Sequence, residues 1–212
     1  MKIALNTEAF NIVVLGTWNP AVFSPEWAKE NLADDKTKEV VLSIAMPPGI
    51  VPNRLTIDDV NIYVSPASLA IDYTSYVANK LDSSFKKLDL ISDLLKHTPV
   101  SAVGINFRFL GNIGENAELL NLFSLSDAAK INSSDFQLSD VVIRRTFKLA
   151  DNTILNLTID NRSSELHIEF NFHSEIKNLA ELKAKISAEK AVSYQNQSIK
   201  FLSDVYGITL EE

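Results

Sequence analysis

Apolar and polar residues alternate along several segments of this chain, and along others they recur every three or four residues. The clearest alternation runs from Ser101 to Leu110, where every second residue from Val103 to Phe109 is large and apolar. Because strand side chains point alternately to two faces, this pattern predicts a strand with one buried face. The same reasoning predicts strands at Ile12–Leu15, Glu39–Met46, Arg54–Val64, Leu69–Tyr73, Val141–Ala150, Thr153–Asp160 and Glu165–Phe172.

Three segments carry helix signals. Tyr76–Lys96 has apolar residues at spacings of three and four, and Pro99 stops it. Ser24 followed by proline and glutamate predicts the start of a short helix, because serine caps the first turn and proline suits its first position. Asn178 with a glutamate three residues later matches a capping box, so a helix is predicted from there to about Tyr206, with Gly207 ending it.

The order of these elements predicts an α+β fold built from two similar β-α-β-β-β-α halves, residues 1–98 and 99–212. Three pairs of short segments match between the halves: Val40–Val41 with Val141–Val142, Leu55–Asp58 with Leu157–Asp160, and Leu69–Tyr73 with Leu166–Phe170. Gene duplication would explain these matches; coincidence is the alternative, because short β-rich tetrapeptides recur often. We expect a mainly antiparallel sheet, joined edge to edge between the halves, with two long amphipathic helices on one face.

Composition narrows the class of protein. The chain has 212 residues, no cysteine and a formal net charge of −7. Disulfides and cysteine nucleophiles are excluded, and the absence of a signal peptide or a long apolar stretch predicts a cytoplasmic protein without a membrane partner. The negative charge disfavours nucleic-acid binding, since phosphates would be repelled; Arg144, Arg145 and Lys148 form the densest basic group.

No residue pattern nominates a catalytic, cofactor or metal site. His167 and His173 share a strand face with Glu169, but an amphipathic strand with one polar face explains that alternation equally. The Gly111–Gly114 loop lacks the lysine of a phosphate-binding loop, so a tight turn is expected. Asp58 and Asp160 end the two matching tetrapeptides, which favours a turn role over acid–base chemistry. No cofactor is therefore expected, and an enzyme is disfavoured.

The remaining candidate is an aromatic cluster. Trp18, Phe23 and Trp27 lie within ten residues, and clustered aromatics are enriched at binding surfaces. The alternative is that they seal one edge of the core of the first half. The leading hypothesis is a non-enzymatic interaction or structural component that self-associates as a homodimer, with another protein as a further possible partner. The second is a small-ligand binding protein or enzyme that uses a cleft between the halves.

Overall fold

The computed structural model of this chain describes residues 2–44, 52–73, 81–112, 141–162 and 165–210. The strands are β1 (Lys2–Gly16), β2 (Val41–Ser43), β3 (Arg54–Ile57), β4 (Val60–Ser65), β5 (Ser68–Tyr73), β6 (Val100–Asn112), β7 (Val142–Lys148), β8 (Ile154–Arg162), β9 (Glu165–Glu175) and β10 (Thr209–Leu210). The helices are α1 (Pro25–Asn31), α2 (Leu81–Leu94), α3 (Leu182–Lys185) and α4 (Ala188–Tyr206), and two 3-10 turns lie at Pro20–Val22 and Leu179–Glu181.

All of these strands belong to one large sheet, which confirms the predicted α+β class with mainly antiparallel pairing. The order is β2-β3-β4-β5-β1-β6-β9-β8-β7, and β10 pairs in parallel with the start of β1. β1 and β6 lie side by side at the centre. On one side β5, β4, β3 and β2 follow β1, and on the other β9, β8 and β7 follow β6. Along this order β2 and β7 are the outer strands.

The helices cover one face of the sheet. The ring of Phe85 on α2 lies 6.5 Å from that of Phe10, and Tyr194 on α4 stacks on Phe172 at 4.0 Å. Phe172 is in register with Ile12 through β6, and Phe10 points to the same side as Ile12 because strand side chains repeat every two residues. Both helices therefore pack on the same face, where each fully buried large apolar side chain contributes about 1.5–3 kcal/mol.

Of the two long helices predicted, the first is present from Leu81 onward and the second is divided. The stripe of Tyr76–Lys96 is buried on α2 from Leu81 onward, and residues 76–80 lie outside the described part of the chain. The single helix predicted from Asn178 to Tyr206 is wrong. Asn178 caps only a 3-10 turn, the backbone is extended at Ile186 and Ser187, and the Ser187 hydroxyl caps a new helix by accepting from the Lys190 N–H. Gly207 ends that helix in the left-handed conformation, as predicted.

The turn role predicted for Asp58 is confirmed, whereas the turn role predicted for Asp160 is wrong. The predicted strand Arg54–Val64 is two strands, β3 and β4, joined by Asp58 and Asp59 at φ 49° and 66°. Aspartate tolerates this left-handed conformation better than most residues, which suits a two-residue hairpin turn. Asp160 instead lies inside β8, paired with Val142 and His167, and is buried. Counted outward from the two central strands, β3 is the fourth strand on its side and β8 is the third on the other. The two matching tetrapeptides therefore do not lie on equivalent strands.

The predicted turn at Gly111–Gly114 is also corrected in part. Gly111 and Asn112 continue β6 and pair with Leu166 and Glu165 of β9. Residues 113 and 114 lie outside the described part of the chain. The strand predicted at Ser101–Leu110 is therefore longer at both ends, because Val100 pairs with Gly16 of β1 at one end and Gly111 and Asn112 pair with β9 at the other.

A row of polar side chains crosses the sheet on the face opposite the helices. Neighbours in this row are cross-strand partners, and most are joined by side-chain hydrogen bonds such as Asn106 to Asn11 and Asn171 to Asn106. A slip of one residue in any of these strands would turn its polar side chain towards the helices, so the row helps to fix the register. In sheet order the row is Thr56, Asn61, Asp72, Asn11, Asn106, Asn171, Asn156 and Thr146.

Candidate functional site

The predicted aromatic cluster forms between the end of β1 and α1. The ring of Phe23 lies 6.4 Å from Trp18 and 5.1 Å from Trp27, both edge to face. Trp18 and Phe23 are 4% and 6% exposed, and the Trp18 indole N–H donates to the Val14 carbonyl at 3.1 Å. Trp27 alone of the three is half-buried. The cluster seals the core at this end, and an interaction surface at these residues stays a prediction.

Local capping holds the cluster in place. The Asn19 side chain accepts a hydrogen bond from the Ala21 N–H and starts the 3-10 turn at Pro20–Val22. The Ser24 hydroxyl accepts from the Trp27 N–H at 3.2 Å and starts α1, as the Ser-Pro-Glu signal predicted. Two short helical turns in succession fold the chain back over the sheet and place Phe23 between them.

An apolar pocket opens beside this cluster. Its volume is about 230 Å³, and its walls include Pro20, Phe23 and Leu42 above the core residues Leu55 and Ile62. Leu42 is the cross-strand partner of Leu55, so it points to the helix-covered face of the sheet. A pocket of this size and lining suits an aliphatic side chain rather than a larger ligand.

The outer strand β2 presents apolar side chains beside this pocket. Val41 and Leu42 of β2 are 47% and 38% exposed, and Ile44, directly after the strand, is 63% exposed. Within the described ranges, β2 pairs only with β3, so the backbone groups on its other side face outward. An exposed apolar edge strand is a ready template for pairing with another chain. Sequence reasoning predicted a strand here, but it could not show that this strand would be outermost.

The opposite outer strand, β7, has a different chemistry. It carries the basic group noted in the sequence: Arg144, Arg145 and Lys148 are all exposed. Arg145 donates to the Tyr206 hydroxyl and lies over that ring, 5.7 Å from its centroid. Charged side chains on an edge strand discourage pairing with other chains. The two ends of the sheet therefore differ: one is apolar and one is basic.

A buried lysine connects α2, the end of α1 and the turn between β3 and β4. Lys87 of α2 is fully buried and donates to the Leu32 carbonyl and to an Asp58 carboxylate oxygen, each at 2.9 Å. Burial would raise the pKa of Asp58, but hydrogen bonds from the Asp34 N–H and Lys87 outweigh it and hold that pKa below its ordinary value. A hydrogen bond from Lys86 likewise lowers the pKa of Asp34. Sequence reasoning assigned Asp58 only a turn role and missed its partner.

A second cavity is an open cleft beside α2. It has a volume of about 400 Å³ between α2 and the segment of α3 and α4. Asp93 and Lys183 form an ion pair across it at 3.1 Å, and Phe85 and Ile186 contribute apolar walls. Burial raises the pKa of Asp89, which lines the same cleft. This cleft is open and lined with charges, and its use as a binding cleft between two similar halves stays a prediction.

The three histidines lie apart. His97 follows α2 and is exposed, and His167 lies 3.4 Å from the carboxylate of Glu165. His173 lies six residues beyond His167 on β9 and lines a separate cavity. Across the described ranges, no group of three or more histidine, aspartate or glutamate side chains could hold a metal ion. Nor does any helix in those ranges have the length and apolarity needed to cross a bilayer.

Comparison with known proteins adds no family. No protein-family model matches this chain. No curated protein sequence matches it significantly. The sheet edges and cavities are therefore the features that bear on function, since fold alone does not determine function.

Proposed function

We propose that this protein is a non-enzymatic interaction component that self-associates through the apolar edge strand β2. The observation that carries the proposal is the exposure of Val41 and Leu42 on the outer strand β2 and of Ile44 directly after it, beside an apolar pocket. Pairing with a second chain would cover these side chains and satisfy the outward-facing backbone groups of β2. A cytoplasmic setting, expected from the composition, belongs to the same proposal.

A second copy of this chain is the partner that fits β2 by symmetry. In a two-fold dimer each edge strand pairs with itself, so one surface must complement itself. Centred on Leu42, an antiparallel pair would place the two leucines opposite each other on the same face of the joined sheet. That face is the helix-covered one, where Leu42 already lines the apolar pocket. Both leucines would then be removed from water together.

The same two-fold antiparallel self-pairing is unfavourable at the opposite outer strand, β7. An antiparallel pair of β7 strands centred on Arg144 or Arg145 places an arginine opposite its own copy. Centred on Thr146, it places Arg144 opposite Lys148, in the register read from the strand. Like charges directly opposite each other destabilise a sheet. Among the described strands at the two ends, β2 is therefore the one suited to self-pairing.

The expected dimer is weak, because β2 is only three residues long. Few backbone hydrogen bonds can form, and a stable interface normally buries about 800 Å² per partner. Leu42 and Ile44 supply most of the apolar contact through their exposed surface. We therefore expect a monomer–dimer equilibrium that shifts with protein concentration rather than a permanent dimer.

Analytical ultracentrifugation of two matched variants tests the proposal. Leu42 and Val142 are both 38% exposed, and they lie on opposite outer strands. Leu42→Lys places a charge at the centre of the proposed interface and should leave the protein monomeric at all concentrations. Val142→Lys makes the same kind of change at the other edge and should leave the association constant unchanged. A dimer that survives Leu42→Lys, or a monomeric wild type, contradicts the proposal.

A second candidate function uses the cleft between the halves. Its support is the position of the cavity, between helices that belong to different halves, and the half-buried Asp89 that lines it. The carboxylates there favour a small cationic ligand. Spermidine is a suitable probe, and calorimetric binding that is lost in Asp89→Asn but kept in Asp204→Asn would support this function. Absence of binding to the wild type would exclude that ligand class.

We also propose that residues 1–98 and 99–212 arose by duplication. The support is the outward strand order from β1 and β6, and the polar row, in which Thr56, Asn61 and Asn11 mirror Thr146, Asn156 and Asn106. The polar row pairs β3 with β7 and β4 with β8, whereas the sequence match of Leu55–Asp58 with Leu157–Asp160 pairs β3 with β8. Superposition of the halves in an experimental structure tests it: register that places Asn61 on Asn156 supports duplication, and any other register opposes it.

A further inference from the structure

A cavity of about 680 Å³ lies at one end of the sheet in the second half. It is formed where β7 ends, β8 begins and β9 leads through Ile176 towards α3. The Ile176 N–H donates to the Ser101 carbonyl at 3.0 Å, which anchors the chain leaving β9 beside β6. This volume is within the range of small-molecule sites, about 300–1,000 Å³.

Cationic side chains converge on this cavity from three elements. Lys148 comes from the end of β7, Lys177 from the connection after β9, and Lys185 from the end of α3. Within the described part of the chain, these three ammonium groups have no ion-pair or hydrogen-bond partner. Nearby lysines differ: Lys183 and Lys190 are paired with aspartates at 3.1 and 2.8 Å.

The wall of the cavity carries aliphatic side chains, in contrast to the lysines at its rim. Lys148, Ile154 and His173 are cross-strand neighbours on one face of β7, β8 and β9, so an aliphatic side chain separates the ammonium group from the imidazole. Ile176, which is buried directly after the end of β9, also lines the cavity. The cavity thus combines an apolar wall with a cationic rim.

Two carboxylates also line the cavity and must be counted. Glu175 is exposed at the end of β9, and Glu181 accepts a hydrogen bond from the Lys177 N–H at 3.1 Å. The Glu181 carboxylate is therefore held by the backbone, and Glu175 can turn to solvent. The unpaired lysines outnumber them, in a protein whose overall charge is −7. A local cluster of positive charge in a cleft attracts anions even when the protein as a whole is acidic.

We propose that this cavity binds a small organic anion, with a carboxylate or phosphate carried on an apolar body. The anionic group lies among the lysine ammonium groups at the rim, and the apolar body lies against Ile154 and Ile176. Inorganic phosphate alone would leave the apolar wall in water, and an uncharged alkyl chain would leave the lysines unpaired. Both parts of the ligand are therefore required for tight binding.

Isothermal titration calorimetry with octyl phosphate tests the site, with inorganic phosphate and octanol as the two partial probes. We expect one octyl phosphate per chain, and weaker binding of each partial probe. The double variant Lys148→Ala, Lys185→Ala should weaken octyl phosphate binding by more than about tenfold. Lys200→Ala is the matched control, because Lys200 is an exposed lysine paired with Asp204 on α4 and should leave binding unchanged.

The outcomes separate clearly. Binding that depends on Lys148 and Lys185 and weakens at high salt supports the proposal. Equal affinity for octyl phosphate and inorganic phosphate overturns the role of the apolar wall. Absence of octyl phosphate binding, or equal loss in the control variant, overturns the site. Circular dichroism of each variant confirms that the comparison is between folded proteins. The single variant Lys148→Glu, at the end of β7, should also weaken octyl phosphate binding, and unchanged binding would overturn the role of this lysine.

Discussion

The buried lysine of α2 offers the sharpest test of what holds the first half together. Replacing Lys87 by methionine keeps a side chain of similar length and removes the ammonium group. The Leu32 carbonyl and the Asp58 carboxylate each lose a donor at 2.9 Å. Because the Lys87 side chain is 0% exposed, water cannot easily take its place.

The expected loss of stability follows from these two contacts. A buried carbonyl left without a donor costs about 1–3 kcal/mol. Removing one partner of a buried ion pair costs about 3–5 kcal/mol in total. That range already includes the cost of a carbonyl that loses its donor at the same time. The Asp58 carboxylate still accepts a hydrogen bond from the Asp34 N–H, and the Lys38 ammonium group lies 3.6 Å from it. The carboxylate therefore keeps part of its stabilisation when Lys87 is replaced. We expect Lys87→Met to lower the free energy of unfolding by about 3–4 kcal/mol at pH 7.

The assay is urea unfolding followed by tryptophan fluorescence, since both tryptophans lie in the first half near α1. Lys86→Met is the matched control: Lys86 is the neighbouring lysine and pairs with Asp34, but it is 62% exposed. Exposed pairs contribute little, so the control should cost less than about 1 kcal/mol. In an Asp58→Asn background, the cost of Lys87→Met should fall by about 1–3 kcal/mol, because the two groups interact directly.

The dependence on pH gives a second readout. The pKa of Asp58 lies below its ordinary value in the folded protein, so the stabilisation by this pair is present above that ordinary value and is lost as pH falls through the folded pKa. The cost of Lys87→Met should therefore shrink in acid. If Lys87→Met costs no more than Lys86→Met, or an equal amount with and without Asp58, the pair does not hold these elements together.

Three further changes have defined outcomes in the same unfolding assay. Gly16→Ala should destabilise by about 1–3 kcal/mol, because the new Cβ would lie 2.5 Å from the Pro99 carbonyl oxygen; a neutral effect would show that β1 and β6 can separate locally. Gly207→Ala should cost about 1 kcal/mol at its φ of 63°, with nothing nearby to clash, and Gly207→Asn should cost less; equal costs would contradict a conformational cause. A hydrogen bond from Lys190 holds the pKa of Asp151 below its ordinary value, so Asp151→Asn should destabilise at pH 7 and progressively less in acid, and a cost independent of pH would refute the ion pair.

Local sequence signals predicted many of the elements. The alternation in β6 predicted its buried face, and Val103, Ile105, Phe107 and Phe109 are all fully buried. Ser24 and Gly207 predicted helix ends because capping depends on a few neighbouring residues. Such signals act over one or two turns of chain, and the sequence contains them in full.

The same signals failed where a distant partner decided the outcome. Lys87 lies three residues after Ser84 and four before Ile91, a spacing that places it on the buried face of α2. That spacing could have identified it, but only the hairpin turn at Asp58 and the end of α1 supply its partners. The split of Arg54–Val64 was hidden because apolar residues continue through both strands, and aspartates in the left-handed conformation leave little mark on the hydrophobic pattern.

The candidate sites depended most on tertiary structure. The sequence contained the apolar residues of β2 and the basic residues of β7, yet it could not show that these two strands are the outermost ones. Strand order is set by pairing between segments far apart, here with β1 next to β6, and backbone hydrogen bonding is the same for every residue except proline. Side-chain pattern therefore determined which face of each strand is buried, and only long-range pairing decided which edges and cavities remain open to a partner.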